Sequence, residues 1–163
     1  GGYHLYSGNN PENLSGGGIG GVDVNHGWTD EDIEKRGIEF EKKFKRDAFN
    51  FIKENPKTFI KLSVIKFKRF WQLYPYAEEY RGILYKMLSI FSYGLILIFS
   101  VLFLISNLKK FFLKISPLIT IIFLTTAIHC LTIASVRYRF PIEPILIMFA
   151  SYYLLERFKI IRN

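Results

Sequence analysis

The residues best suited to chemistry lie near the C-terminal end, in the run Arg137-Tyr138-Arg139-Phe140-Pro141, with Glu143 and Pro144 following. A guanidinium is a rigid fork of N–H donors that matches phosphate bidentately. A helix start adds partial positive charge, so two arginines just ahead of one make a cradle for a phosphate group. Arg137 and Arg139 are two positions apart, and in an extended loop their side chains point the same way. Glu143 is placed to orient one of them through a salt bridge. The competing reading of the pair is plain anchoring to lipid head groups.

His129 lies upstream in an uncharged stretch, about 12 Å of helix from Arg137 at ~1.5 Å per residue. An ionisable group in such a stretch is a functional candidate. The alternative is a neutral imidazole hydrogen-bonded to a neighbouring helix. Other motifs carry less. Gly16, Gly18 and Gly21 match G-x-G-x-x-G, but Leu14-Ser15 is no strand and Asp23-Val24-Asn25 opens no helix, so a dinucleotide fold is excluded. Asn13-Leu14-Ser15 matches a glycosylation acceptor, a tripeptide common by chance. His4, His26, His129 and Cys130 lack metal-ligand spacing. One Cys supports no disulfide framework, and no Ser stands in a nucleophile-elbow context.

The elements that must position these residues follow from the distribution of charge. The chain has 163 residues, half of them hydrophobic, with 22 Lys and Arg against 14 Asp and Glu. From Met87 to Leu108 there are 22 residues without charge, and from Ile115 to Val136 another 22. About 18 apolar residues suffice to read as a membrane-spanning helix, and neither run has a polar face. A third span over 140–158 is weaker, because Glu143 interrupts it and its uncharged core, Pro144–Leu155, is only 12 residues. Lys159 and Arg162 can snorkel at its end, and Tyr152 and Tyr153 suit an interfacial belt. The expected fold is therefore all-α, an integral membrane bundle with spans at about 84–107, 116–135 and 140–158.

Orientation follows from basic residues in the short loops. Lys109, Lys110 and Lys114, with Arg157, Lys159 and Arg162, outnumber Arg137 and Arg139 by six to two, placing the lysine loop and the C-terminus in the cytoplasm. Residues 1–82 then lie outside. Within them, 1–28 read as a Gly- and Asn-rich loop, and 29–82 as amphipathic interfacial helices. Thr29 caps the first, with Asp30, Glu31 and Asp32 in its opening turn. Ile33, Phe40, Phe44, Ala48 and Phe51 mark its apolar face. Asn55-Pro56 ends it and starts the next, with Asn55 as cap. That second helix, Lys57 to Leu73, interleaves Phe59, Leu62, Ile65, Phe70 and Trp71 with Lys57, Lys61, Lys66, Lys68 and Arg69, a pattern suited to a membrane surface. Trp71, Tyr74, Tyr76, Tyr80 and Tyr85 form an aromatic run before the first span. Nucleic acid is excluded as a partner by the adjacent spans. The positive charge points instead to the lipid bilayer.

Several of these pieces together show a resemblance. Tyr6-Ser7-Gly8-Asn9-Asn10-Pro11 followed by Gly16-Gly17 resembles the extracytoplasmic loop of membrane glycosyltransferases that use lipid-linked sugars, the class of protein O-mannosyltransferases and aminoarabinose transferases. The stretch Asp47-Ala48, Ile52, Asn55-Pro56, Phe59, Lys66, Phe70-Trp71 is similar to the segment after it. His129, Ala134, Arg137-Tyr138-Arg139, Pro141 and Pro144 resemble the last outer loop and span.

The resemblance implies a multi-pass enzyme of the inner membrane that transfers a sugar from a polyprenyl-phosphate carrier to a glycan, lipid or protein acceptor at the outer face. It implies a carboxylate base, assisted by a divalent metal, in a part of such enzymes that this chain does not contain. No acidic residue here takes that role, and the chain is expected to hold no cofactor, to be the C-terminal fragment of a longer enzyme and to be inactive alone. On this reading Arg137, Tyr138, Arg139 and His129 bind the carrier phosphate region, and Asn9 and Asn10 line the outer cavity. The alternatives are a non-catalytic membrane module, such as a transporter or assembly subunit, and a piece of a polysaccharide ligase or polymerase.

Overall fold

The computed structural model describes residues 1–16, 30–74 and 82–160, and of residues 30–36 the backbone alone. Among the described residues every regular element is a helix. The expected cap Thr29, Gly17, Gly18 and Gly21, His26, Tyr76, Tyr80 and Arg162 lie outside the described residues, as does the side chain of Ile33. The chain divides into two compact units, Gly1–Trp71 with Thr126–Tyr138, and Gln72–Thr125 with Arg139–Asn163.

In the first unit, helix α1 covers Gly2–Gly8, α2 Asp30–Glu54 and α3 Pro56–Trp71. Helix α1 corrects the reading of 1–28 as loop throughout. Its two glycines and short length argue against a helix from propensity alone, so tertiary contacts make it. The rings of Tyr3 and Tyr6 pack on Phe44 of α2, with centroids 5.7 and 5.2 Å away. A Cβ at Gly8 would come within 1.7 Å of the Thr132 carbonyl, a closeness of backbones that only glycine allows here.

The break between α2 and α3 falls where Asn55-Pro56 predicts it, because Pro56 has no N–H to continue α2 and suits a first helical turn. Asn55 differs from its expected role: its side chain donates backward to the Phe51 carbonyl at 3.3 Å rather than capping α3. Helix α3 also corrects the simple amphipathic reading. Its buried face runs Leu62, Lys66, Phe70, while Ile60, Val64 and Phe67 are exposed beside Lys57, Lys61 and Lys68.

The second unit is built from helix α4, Ile83–Leu131, as far as Thr125, and helix α5, Glu143–Arg157. The loop expected at 107–116 is helical except at Phe111, whose φ of −115° and ψ of 16° break the run. A straight helix of 49 residues would be ~74 Å long. The break instead lets residues on both sides of it, Phe103 and Ile115, join one hydrophobic cluster with Phe149 of α5. Phe103 stacks on Phe149 with centroids 4.8 Å apart, and Tyr152 meets Phe103 and Phe111 edge-on. Ser100 is fully buried, and its hydroxyl lies 2.6 Å from the carbonyl oxygens of Ile96 and Leu146, so its one O–H has an acceptor on either helix while its small size allows α4 and α5 to approach. Asn107 donates to Glu156 at 3.1 Å.

Helix α4 is long and apolar enough to cross a membrane, with a mean hydropathy of 2.5 over its best window. Only 22% of that window is buried inside the protein. Ile83, Leu84, Met87, Leu88, Phe91 and Ile98 are among its exposed side chains. The α5 helix has 15 residues and is preceded by a 3-10 helix over Val136–Ile142.

Candidate functional site

The segment Val136–Ile142 is where the structure departs most from the expected geometry. Arg137 and Arg139 were expected in an extended strand of loop, with parallel side chains. They lie instead in the 3-10 helix, where three residues make a turn and positions two apart point to different sides. Local helical hydrogen bonding, such as the Tyr138 amide donating to the Ser135 carbonyl at 3.1 Å, replaces the extended conformation. Arg137 is exposed, Tyr138 is 37% exposed and Arg139 is 5% exposed.

Arg139 is fully engaged within the second unit. Its Nε donates to Glu143 Oε1 at 3.2 Å, one turn ahead in sequence, and its Nη1 donates to the Gln72 carbonyl at 3.0 Å. Its guanidinium carbon lies 3.5 Å from the centroid of the Tyr93 ring. Glu143 is the orienting carboxylate that its spacing suggests, but what it orients is a structural cation. A guanidinium with a carboxylate, a carbonyl and a ring face has little left to offer a ligand.

Arg137 is different. Its backbone amide bonds the Ser135 hydroxyl at 3.5 Å, and among the described residues no carboxylate pairs with its guanidinium. Beside it in sequence, Tyr138 stacks on His129 with ring centroids 4.6 Å apart and planes 2° from parallel. His129 stacks in turn on Phe70 of α3 at 5.6 Å and 17°. The imidazole Nδ1 lies 3.1 Å from the Ile133 carbonyl. His129 is thus the half-buried middle ring of a three-ring stack, with its Nδ1 hydrogen-bonded to its own chain.

Asn9 and Asn10 are at 0% and 1% exposure. The Asn9 amide donates at 2.8 Å to the carbonyls of Leu5 and Leu131, and its Oδ1 accepts from Lys66 Nζ at 2.8 Å. Asn10 donates to Tyr6 and Ser7 carbonyls and accepts the amides of Glu12 and Asn13. Both side chains spend their donors and acceptors inside the protein, fixing the turn after α1. Of the residues singled out from sequence, His129, Tyr138 and Asn9 are brought into one packed group of the first unit, and Arg137 is carried at its end.

Lys66 was placed with the basic face of α3, yet it is fully buried. Its one hydrogen-bond partner among the described residues is Asn9, and burial pulls its ammonium down to about 8 from its ordinary 10.5. The signal was present in the sequence: Leu62, Lys66 and Phe70 recur every four residues, which puts the lysine on the apolar stripe. Among the described residues no three His, Cys, Asp or Glu side chains gather as a metal ion would require. The chain matches no family model, no characterised protein and no solved structure.

Proposed function

We propose that this chain is the carrier-handling part of a membrane glycosyltransferase, one that takes its sugar from a polyprenyl phosphate at the outer face of the membrane. The observation that carries the reading is the exposed guanidinium of Arg137, unpaired among the described residues, following a run of 22 uncharged residues. A cation at that boundary meets the charge of a carrier phosphate while the polyprenyl chain stays in the bilayer. It stabilises the same phosphate when it leaves as the sugar is transferred. No acidic residue of this chain is assigned the removal of the acceptor proton; Arg137 supplies binding and leaving-group stabilisation. Arg139 is assigned a framework role on the strength of its engagement with Glu143, Gln72 and Tyr93.

The membrane placement has its own support. The exposed apolar surface of α4 suits lipid better than water. On this reading the stretches of α4 before and after Phe111 cross as a hairpin, with Lys109, Lys110 and Lys114 on the cytoplasmic side of the bend. Helix α5, about 22 Å long, crosses with help from its flanks. Helix α3 lies at the outer interface, with Ile60, Val64 and Phe67 in the acyl boundary and Lys57, Lys61 and Lys68 among head groups. A second reading, a non-catalytic membrane module, is favoured by the internal commitment of Asn9 and Asn10, which leaves those amides unavailable to line a sugar cavity.

The test is binding of a polyprenyl phosphate to the chain in lipid nanodiscs, with the corresponding polyprenol as control. The phosphate form should bind in preference, and Arg137→Ala should raise its half-saturation about tenfold, a value typical of a lost charge-assisted bond. Equal binding of phosphate and alcohol by the wild-type chain sinks the reading.

A further inference from the structure

We infer that Lys66 is a positioning residue, acting through Asn9 to fix the 129–138 segment that carries Arg137. Lys66 and Phe70 are four residues apart on the buried face of α3, so they stand one above the other. Each holds the segment by a different handle. Lys66 Nζ donates to Asn9 Oδ1 at 2.8 Å, and the Asn9 amide donates at 2.8 Å to the carbonyl of Leu131, the last residue of α4. Phe70 stacks on His129, and His129 on Tyr138. The first handle grips the backbone where helical bonding stops and carbonyls need partners. The second grips side chains on either side of that point. Gly8, whose Cβ would strike the Thr132 carbonyl, lets the Asn9 turn come close enough to reach across.

A lysine is well suited to this and otherwise a poor core residue. Its long stem spans the gap from α3 to the turn after α1, and its head keeps Asn9 Oδ1 satisfied. The amide is then free to bond two carbonyls at once, Leu5 and Leu131. An apolar residue at 66 would leave the Asn9 oxygen buried without a donor, and the amide could relax away from Leu131. The titratable group facing Lys66 from α4 is Cys130, and from the turn after α1 the facing group is the uncharged Asn9. The inference rests on the proposed function only in naming the ligand that Arg137 meets.

The experiment uses the whole chain in nanodiscs, labelled with 3-fluorotyrosine, the Tyr138 signal being assigned by its loss in Tyr138→Phe. The parallel His129 ring shields that fluorine, so the signal reports whether the stack is in place. Lys66→Met should move it toward the shift of an exposed tyrosine while helix content by circular dichroism is kept. Asn9→Ala should move it the same way, and the double variant no further than the larger single change, because one link serves both residues. An unmoved signal, or additive shifts, overturns the inference; if Lys66→Met fails to fold, Asn9→Ala alone decides by the same shift. Polyprenyl-phosphate half-saturation should also rise about tenfold in Lys66→Met. Should the wild-type chain bind no polyprenyl phosphate, the glycosyltransferase reading falls, while the fluorine signal still judges Lys66.

Discussion

Lys66 and Arg139 are both out of water, at 0% and 5% exposure, and the protein treats them in opposite ways. Arg139 is given a carboxylate at 3.2 Å, a carbonyl at 3.0 Å and the face of a tyrosine. Lys66 is given an amide oxygen and, among the described residues, no carboxylate. A guanidinium cannot lose its proton at any ordinary pH, so burying it demands full compensation. An ammonium can shed its charge, and burial does move Lys66 down to about 8. The contrast separates two uses of a buried cation. Arg139 ties the segment before α5 to Gln72 and Tyr93 of its own unit by charge, whereas Lys66 serves as a long donor whose charge is incidental.

The largest effect should come from removing the carboxylate of the compensated pair. Glu143→Ala leaves the Arg139 guanidinium buried without the carboxylate that pairs with it, and should cost about 3 kcal/mol. That is the low end for broken buried pairs, because the Glu143 side chain is itself 32% exposed. Thermal unfolding in detergent checks it. A loss below ~0.5 kcal/mol would place Arg139 among ordinary surface pairs and erase the contrast.

The uncompensated cation should instead show itself through pH. Lys66 has its folded pKa below its unfolded one, so folding releases a proton, and stability rises as pH climbs from about 8 towards 10.5. Below about 8 the full burden of the buried charge is present. By pH 9.5 the wild-type chain should gain about 2 kcal/mol over its value at pH 7. Lys66→Met should remove that gain, which the difference between the two unfolding curves isolates from other titrating groups. Parallel curves would mean that Lys66 is as well compensated as Arg139.

How far this contrast could be read from sequence depends on the kind of interaction. The uncharged runs 87–108 and 115–136 and the Asn55-Pro56 break announce themselves, because hydropathy and the missing proline N–H act locally. Glu143 could be assigned from sequence to one of the two arginines but not to which, because four-residue spacing selects Arg139 only once the segment is helical. Helix α1 could not, because Gly2–Gly8 is held by residues far away in sequence, Glu41, Phe44 and Thr132 among them. The 3-10 form of Val136–Ile142 was likewise hidden, as nothing in Arg-Tyr-Arg-Phe-Pro distinguishes it from an extended loop. Lys66 is an intermediate case. Its place in the Leu62–Phe70 stripe was visible, but a lysine on a lysine-rich helix reads first as surface, and only Asn9 shows why it turns inward.

The smallest effect tests what the ring contributes to Arg139. The Tyr93 hydroxyl is buried with no hydrogen-bond partner among the described residues, so it is a desolvated polar group beside a useful ring face. Tyr93→Phe should therefore leave stability unchanged or raise it by less than ~1 kcal/mol, since the face that meets the guanidinium is retained. Tyr93→Leu, which keeps apolar bulk but removes the face, should cost roughly 1–2 kcal/mol. The two variants must be read together with Glu143→Ala in place. With the carboxylate gone, the ring carries more of the compensation, so Tyr93→Leu should become more costly while Tyr93→Phe stays neutral. If Tyr93→Leu costs the same in both backgrounds, the ring is packing material and takes no part in compensating Arg139.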